Sequence, residues 1–208
     1  MAGASSPTWK EAFAGNLTPG TAPALLLVDP VRAYVEQGSP LYLESGADAV
    51  ARMAELVALF RARNLPVIWT GVRYSEGGAD GGYFFKKIPA LKIFVGETKL
   101  GGFPADLSPA ENEKVILKQY PSAFHWTGLD DWLKQHGIDT LYIGGFSTSG
   151  CIRASALDAL QYGYIPMTVA DACGDRNADL HRQNLRDLGA KYSEIIDTVK
   201  VPDLLGAA

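Results

Sequence analysis

TLYIGGFSTSGCIRASALDALQYGYIPMTVA, residues 140–170, holds two apolar strand-like runs separated by a turn and a helix. The first run is TLYIGG (140–145) and the second is IPMTVA (165–170). Between them CIRASALDALQYG (151–163) has an Ala-rich helical composition closed by Gly163. Strand, crossover helix and strand, each short and closely joined, form the repeating unit of a parallel sheet. Working outward, ALLLVD (24–29) is a continuous apolar run ending in an acid, as in a strand buried on both faces. Val50, Met53, Ala54, Val57 and Phe60 follow at spacings of three and four and mark one helical stripe. PVIWT (66–70), KVILK (114–118) and SEIIDTV (193–199) read as further strands.

Helices are expected between Thr127, as N-cap, and Gly137, and again near 177–188. This alternation predicts an α/β fold: an open, mostly parallel central sheet of about six strands with helices on both faces. Residues 1–22, rich in Gly, Pro, Ser and Thr, read as an N-terminal arm, and 23–208 as a single domain. Residues 71–112 are rich in glycine and aromatics without a long period, which suits a lid or an interface.

Composition narrows the class of function. The chain has 208 residues, 47% of them apolar, enough for one good core. A net charge of −4 and the lack of a Lys/Arg block argue against binding nucleic acid through its phosphates. A small-molecule partner is expected instead. No apolar stretch approaches the roughly 20 residues of a membrane span, so no membrane partner is expected. Two cysteines, without a basic and apolar leader, point to the reducing cytoplasm rather than to a disulfide framework. Three scattered histidines make a His-rich metal site improbable, and no cofactor is expected.

In open α/β sheets ligands bind at the carboxyl ends of the strands. Asp29, Lys118 and Cys151 all fall at that rim. A thiol attacks only as thiolate, and an ordinary cysteine, near pKa ~8.5, is mostly protonated at neutral pH. Cys151 starts a helix whose positive end favours the thiolate, Lys118 favours it further, and Asp29 can accept the proton. Gly144, Gly145 and Gly150 allow a sharp turn that aims amides at an oxyanion. Taken singly, a cysteine is usually a small buried hydrophobe, a strand-end acid a turn cap, and a strand-end lysine a solvated charge. Cys173, in ADACGD, is read as packing.

ALLLVDPVRAY, VILKQYPSAF and GGFSTSGCIRASALDALQYGYIPMTVADACGDR resemble the signature segments of the isochorismatase-like cysteine hydrolases, nearest the N-carbamoylsarcosine amidase branch. The resemblance runs from about 23 to 200. It implies an Asp29, Lys118, Cys151 triad and a cis peptide between Phe146 and Ser147. It further implies an oxyanion hole from the Ser147 and Cys151 amides, Arg176 on a substrate carboxylate, and a homo-oligomer, dimer or tetramer. Tyr34, Phe124 and Trp126 adjoin the motif residues and are expected to wall the pocket; His125, beside them, is read as structural. The Asp-x-His metal motif of the nicotinamidase branch is absent from WTGVRYSEGGADGG (69–82), and isochorismate-cleaving members generally lack the cysteine. The resemblance therefore implies a cysteine amidohydrolase without a metal. N-carbamoylsarcosine is the leading substrate, another carboxylated amide such as maleamate the alternative, and a non-catalytic binding relative the third reading.

Overall fold

A computed structural model describes residues 12–206. The part of the arm before residue 12 lies outside the described residues. Six strands form one sheet: β1 (Pro23–Val28), β2 (Val67–Val72), β3 (Lys114–Lys118), β4 (Thr140–Phe146), β5 (Ile165–Gly174) and β6 (Glu194–Ile196). Their order is β3-β2-β1-β4-β5-β6 and each neighbouring pair is parallel. The chain builds outward from β1 in one direction and then returns to β1's other side with β4. The strand order therefore reverses between β1 and β4, and that reversal opens a crevice at their carboxyl ends.

The apolar run of β1 is explained by two cores. Leu25 and Leu27 face a layer with Met53, Leu56 and Phe60 of α1 (Gly46–Ala62). Ala24, Leu26 and Val28 face the other layer, with Leu129 and Leu133 of α3 (Leu129–Gln135) and Ala156 and Ala159 of α4 (Arg153–Gln161). Leu188 of α5 (Ala178–Lys191) joins that second layer. Because side chains alternate along a strand, both faces of β1 must be apolar. β3 is one edge of the sheet, and there Val115 and Leu117 are exposed. Between β2 and β3, α2 (Gly82–Lys87) and two short 3-10 turns occupy the segment that showed no long period, and Leu91 and Phe94 anchor it to the first core.

Local expectations need four corrections. The helix after β4 begins at Arg153, not at Cys151: Gly150 has φ −114 and ψ −105, which is not helical, so 148–152 form a wider turn. Its Ile152 N–H donates to the Ser147 carbonyl, 3.1 Å away. The N-cap of α3 is Gly128, in the left-handed region, while the Thr127 hydroxyl accepts from Leu129 N–H and donates to the Ala123 carbonyl. β5 runs on to Gly174, so Cys173 lies within it. β6 is only three residues long, and the chain continues into α6 (Val201–Gly206), whose Val201 is buried in the first core. Among the described residues no helix is long and apolar enough to cross a membrane.

Candidate active site

Asp29 follows β1, Cys151 follows β4, and Lys118 ends β3, two strands from β1. Strands lie about 4.8 Å apart, so only a long side chain crosses the end of β2 to reach Asp29. Lys118 does so: its Nζ lies 2.7 Å from Asp29 Oδ2, 3.5 Å from Cys151 Sγ and 3.0 Å from the Tyr120 carbonyl. Both charged partners are almost fully buried. The ion pair is thus held in place by three acceptors around one ammonium.

Asp29 is fixed by a residue that the sequence reading did not single out. Its backbone takes a left-handed conformation, φ 51, which costs a non-glycine residue about 1–2 kcal/mol. Thr70, the fourth residue of β2, which runs two residues beyond the PVIWT stretch, offsets that cost by bonding Asp29 twice. Its hydroxyl accepts from Asp29 N–H at 3.0 Å and donates to Oδ1 at 2.6 Å. The signal was present in PVIWT, where a single polar residue ends an apolar run and is buried at the rim.

The glycines permit the close approach. Gly145 has φ +126, and a Cβ there would lie 2.0 Å from the Val28 carbonyl oxygen. A Cβ on Gly150 would meet Ser147 Oγ at 2.8 Å. The Phe146–Ser147 peptide is cis. It stands just ahead of the turn whose residue 151 carries the sulfur.

The electrostatics correct one expectation. Burial pushes the Cys151 thiol up to about 12; the Lys118 ammonium opposes this, and the neighbouring Asp29 carboxylate adds to it. Burial thus favours the neutral thiol, although Lys118 alone would favour the thiolate. Burial acts to lower Lys118, but the charge and hydrogen bond of Asp29, with the Cys151 sulfur beside it, outweigh this and hold the ammonium above its ordinary value. A neutral thiol beside a lysine-paired carboxylate is poised for proton transfer at the moment of attack.

A cleft of about 860 Å³ opens over these groups. Tyr34, Lys118, Ser147, Cys151 and Arg176 line it, with Phe84, Ile88 and Leu91 on the wall from the segment before β3. Tyr34 packs on Phe146 with ring centres 5.0 Å apart, and burial raises its phenol well above the ordinary value, so it is a hydrogen-bond donor. The Arg176 guanidinium is two-thirds exposed and 3.6 Å from Asp175 Oδ1. Asp175 and Asn184, both unforeseen, also line the cleft.

Two expected wall residues stand elsewhere. Phe124 is buried away from the cleft, stacked on Tyr162 at 5.3 Å and packed in the second core with residues of α3 and α4. Trp126 is 82% exposed, with φ 57, and stands edge-on to Tyr120 outside the cleft. His125 packs against both the Tyr120 and the Trp126 ring. Cys173 is buried against the second core, where desolvation raises its thiol. Among the described residues no three His, Cys, Asp or Glu side chains gather in a metal-binding group.

Comparison with known proteins gives the same picture at the level of the whole chain. Residues 23–199 match the Isochorismatase domain family. The chain is 41% identical over 178 residues to the maleamate amidohydrolase of Pseudomonas putida, covering 85% of this chain and 84% of that one. It is 28% identical over 193 residues to the N-carbamoylsarcosine amidase of an Arthrobacter species, covering 90% and 73%. Among solved structures, an isochorismatase family protein from Desulfovibrio vulgaris superposes with a TM-score of 0.80 at 28% identity, over 90% of this chain and 100% of that one. With the six-stranded parallel sheet, the crevice at its reversal and a match across nearly all the described residues, the chain belongs to the isochorismatase family.

Proposed function

We propose that this protein is a cysteine-dependent amidohydrolase that releases ammonia from a small amide carrying a carboxylate. The observation that carries this reading is the contact of Lys118 Nζ with both Asp29 Oδ2, at 2.7 Å, and Cys151 Sγ, at 3.5 Å, at the floor of an open cleft. Such a cluster serves acyl transfer: a nucleophile, a base within reach, and a cation that stabilises both charged forms. Maleamate is the first substrate to test, because the 41% identical relative is a maleamate amidohydrolase. N-carbamoylsarcosine comes second, on the 28% identical relative, which reverses the order that the signature segments alone suggested.

In this mechanism the amide carbonyl lies above Cys151 and its oxygen receives the Ser147 and Cys151 N–H groups. Asp29 takes the thiol proton as sulfur bonds to the carbonyl carbon, and Lys118 keeps the carboxylate and the developing thiolate in place. Collapse of the tetrahedral adduct breaks the carbon–nitrogen bond. Asp29 returns its proton to the nitrogen, which leaves as ammonia, and a thioester remains on Cys151. A water then gives its proton to Asp29 and attacks the thioester; the sulfur departs and recovers that proton, and the acid is released. With a ureido substrate the product is a carbamate, which loses carbon dioxide.

Arg176 is the group for the substrate's carboxylate, since its guanidinium fork matches two carboxylate oxygens and stands at the cleft wall. Tyr34 donates from the same wall. The deciding experiment measures ammonia release from maleamate and from N-carbamoylsarcosine by the wild type and by Cys151→Ala. Release from either by the wild type, and from neither by the variant, supports the reading; release from neither by the wild type rejects it.

A further inference from the structure

The turn that carries Cys151 is fastened to the protein by the segment just after β5, the same segment that carries Arg176. The Asp175 side chain is fully buried. Its Oδ2 accepts the Ser149 N–H at 2.6 Å, and its Oδ1 accepts the Arg176 N–H at 2.8 Å. One carboxylate therefore bonds the backbone of the nucleophile turn and the backbone of the residue opposite it. The Arg176 guanidinium lies 3.6 Å from the same Oδ1, which limits where that side chain swings.

A second tie runs alongside. The Thr148 hydroxyl, fully buried, bonds the Gly174 carbonyl at 3.2 Å and the Nδ1 of His181, on α5, at 2.8 Å. Since the single hydroxyl proton goes to the carbonyl, Nδ1 is the donor to the threonine oxygen. Within the turn itself the Ser147 carbonyl accepts from Gly150 and Ile152, which shapes the turn but does not anchor it. Anchorage comes from residues 174–181.

We propose that Asp175 is a positioning residue that couples the oxyanion-binding turn to the carboxylate-binding Arg176, fixing the distance between the amide and the carboxylate that the enzyme accepts. The proposal rests on the mechanism above, because it assigns Asp175 no contact with the reacting atoms. Backbone N–H groups bonded to a buried carboxylate are held more firmly than in neutral pairs, and a buried N–H left without an acceptor is costly. Loss of Asp175 therefore frees the turn, and misplacement of oxyanion donors by even an ångström lowers the chemical step by about a hundredfold.

The test compares Asp175→Asn and Asp175→Ala with the wild type by three readouts. With maleamate, Asp175→Asn is expected to lower kcat at least about twentyfold and to raise KM severalfold. Alkylation of Cys151 by iodoacetamide, which needs no oxyanion hole, is expected to stay within about threefold. Hydrogen exchange across 147–152 is expected to quicken at least about tenfold while α4 stays protected. In an Arg176→Ala background, Asp175→Asn is expected to lower kcat as before but to leave KM unchanged, since the guanidinium it steadies is gone.

The coupling is overturned by a folded variant with kcat within twofold of wild type, or by unchanged exchange across 147–152. KM increases that multiply across the double variant overturn it as well, and so does alkylation that falls in parallel with kcat, which would place the effect on the sulfur. Should the wild type hydrolyse neither maleamate nor N-carbamoylsarcosine, the amidase reading fails, and the exchange measurement still decides whether Asp175 holds the turn. If Asp175→Ala does not fold, Asp175→Asn, which keeps the side chain's shape and one acceptor, gives the answer.

Discussion

Lys118 Nζ lies 2.7 Å from Asp29 Oδ2, although 89 residues separate the two in sequence. Both side chains are withdrawn from water, so neither charge is tolerable without the other. Removal of the cation by Lys118→Met is expected to destabilise the fold by about 3–5 kcal/mol and to abolish turnover. Urea unfolding and ammonia release check the two parts; an unchanged midpoint would show that Asp29 finds another partner.

Cys151→Ala deletes one sulfur from a turn whose other ties remain. It is expected to lower kcat by on the order of 10⁴-fold or more with the circular dichroism spectrum unchanged. No covalent acyl adduct should then appear by mass spectrometry after mixing with substrate.

Thr70 makes both of its bonds to Asp29 through one oxygen. Thr70→Val keeps the volume but leaves a buried N–H and a carboxylate oxygen without partners, at a cost of about 1–3 kcal/mol. If Asp29 is the base, its misalignment should lower kcat about tenfold to a hundredfold while KM changes little. A KM effect larger than the kcat effect would assign Thr70 to substrate binding instead.

Arg176→Ala removes the guanidinium at the cleft wall. If that group receives the carboxylate, KM for maleamate should rise about tenfold to a hundredfold, the equivalent of about 1.5–3 kcal/mol for a charged hydrogen bond. An amide with a methyl group in place of the carboxylate should be hydrolysed at equal kcat/KM by wild type and variant.

One part of the alkaline pH dependence of stability comes from the Cys151 thiol, raised to about 12 by burial from an ordinary 9.0. Between those values the native state keeps a proton that the unfolded chain has lost, so stability falls as pH rises. The contribution is complete below about pH 9 and is lost progressively toward pH 12. Cys151→Ala should therefore lose stability less steeply than wild type between about pH 9 and 11 in urea titrations.

Much of this protein was legible without its structure. The apolar run at 24–28, the strand, helix and strand across 140–170 and the acid, lysine and cysteine at strand ends pointed to a parallel sheet with those three side chains at one rim, because periodicity and strand polarity are local properties. What no local pattern encodes is which way a side chain points after a turn. Phe124 and Trp126 adjoin motif residues in sequence, yet the chain after Pro121 sends one into the core and the other into solvent. Asp175 and His181 became visible only when segments far apart in sequence met at one rim and gave each polar group its partner. The protonation of Cys151 was likewise a tertiary decision. The lysine beside it argued for a thiolate, and the burial that outweighs that lysine exists only once both layers close over the sheet.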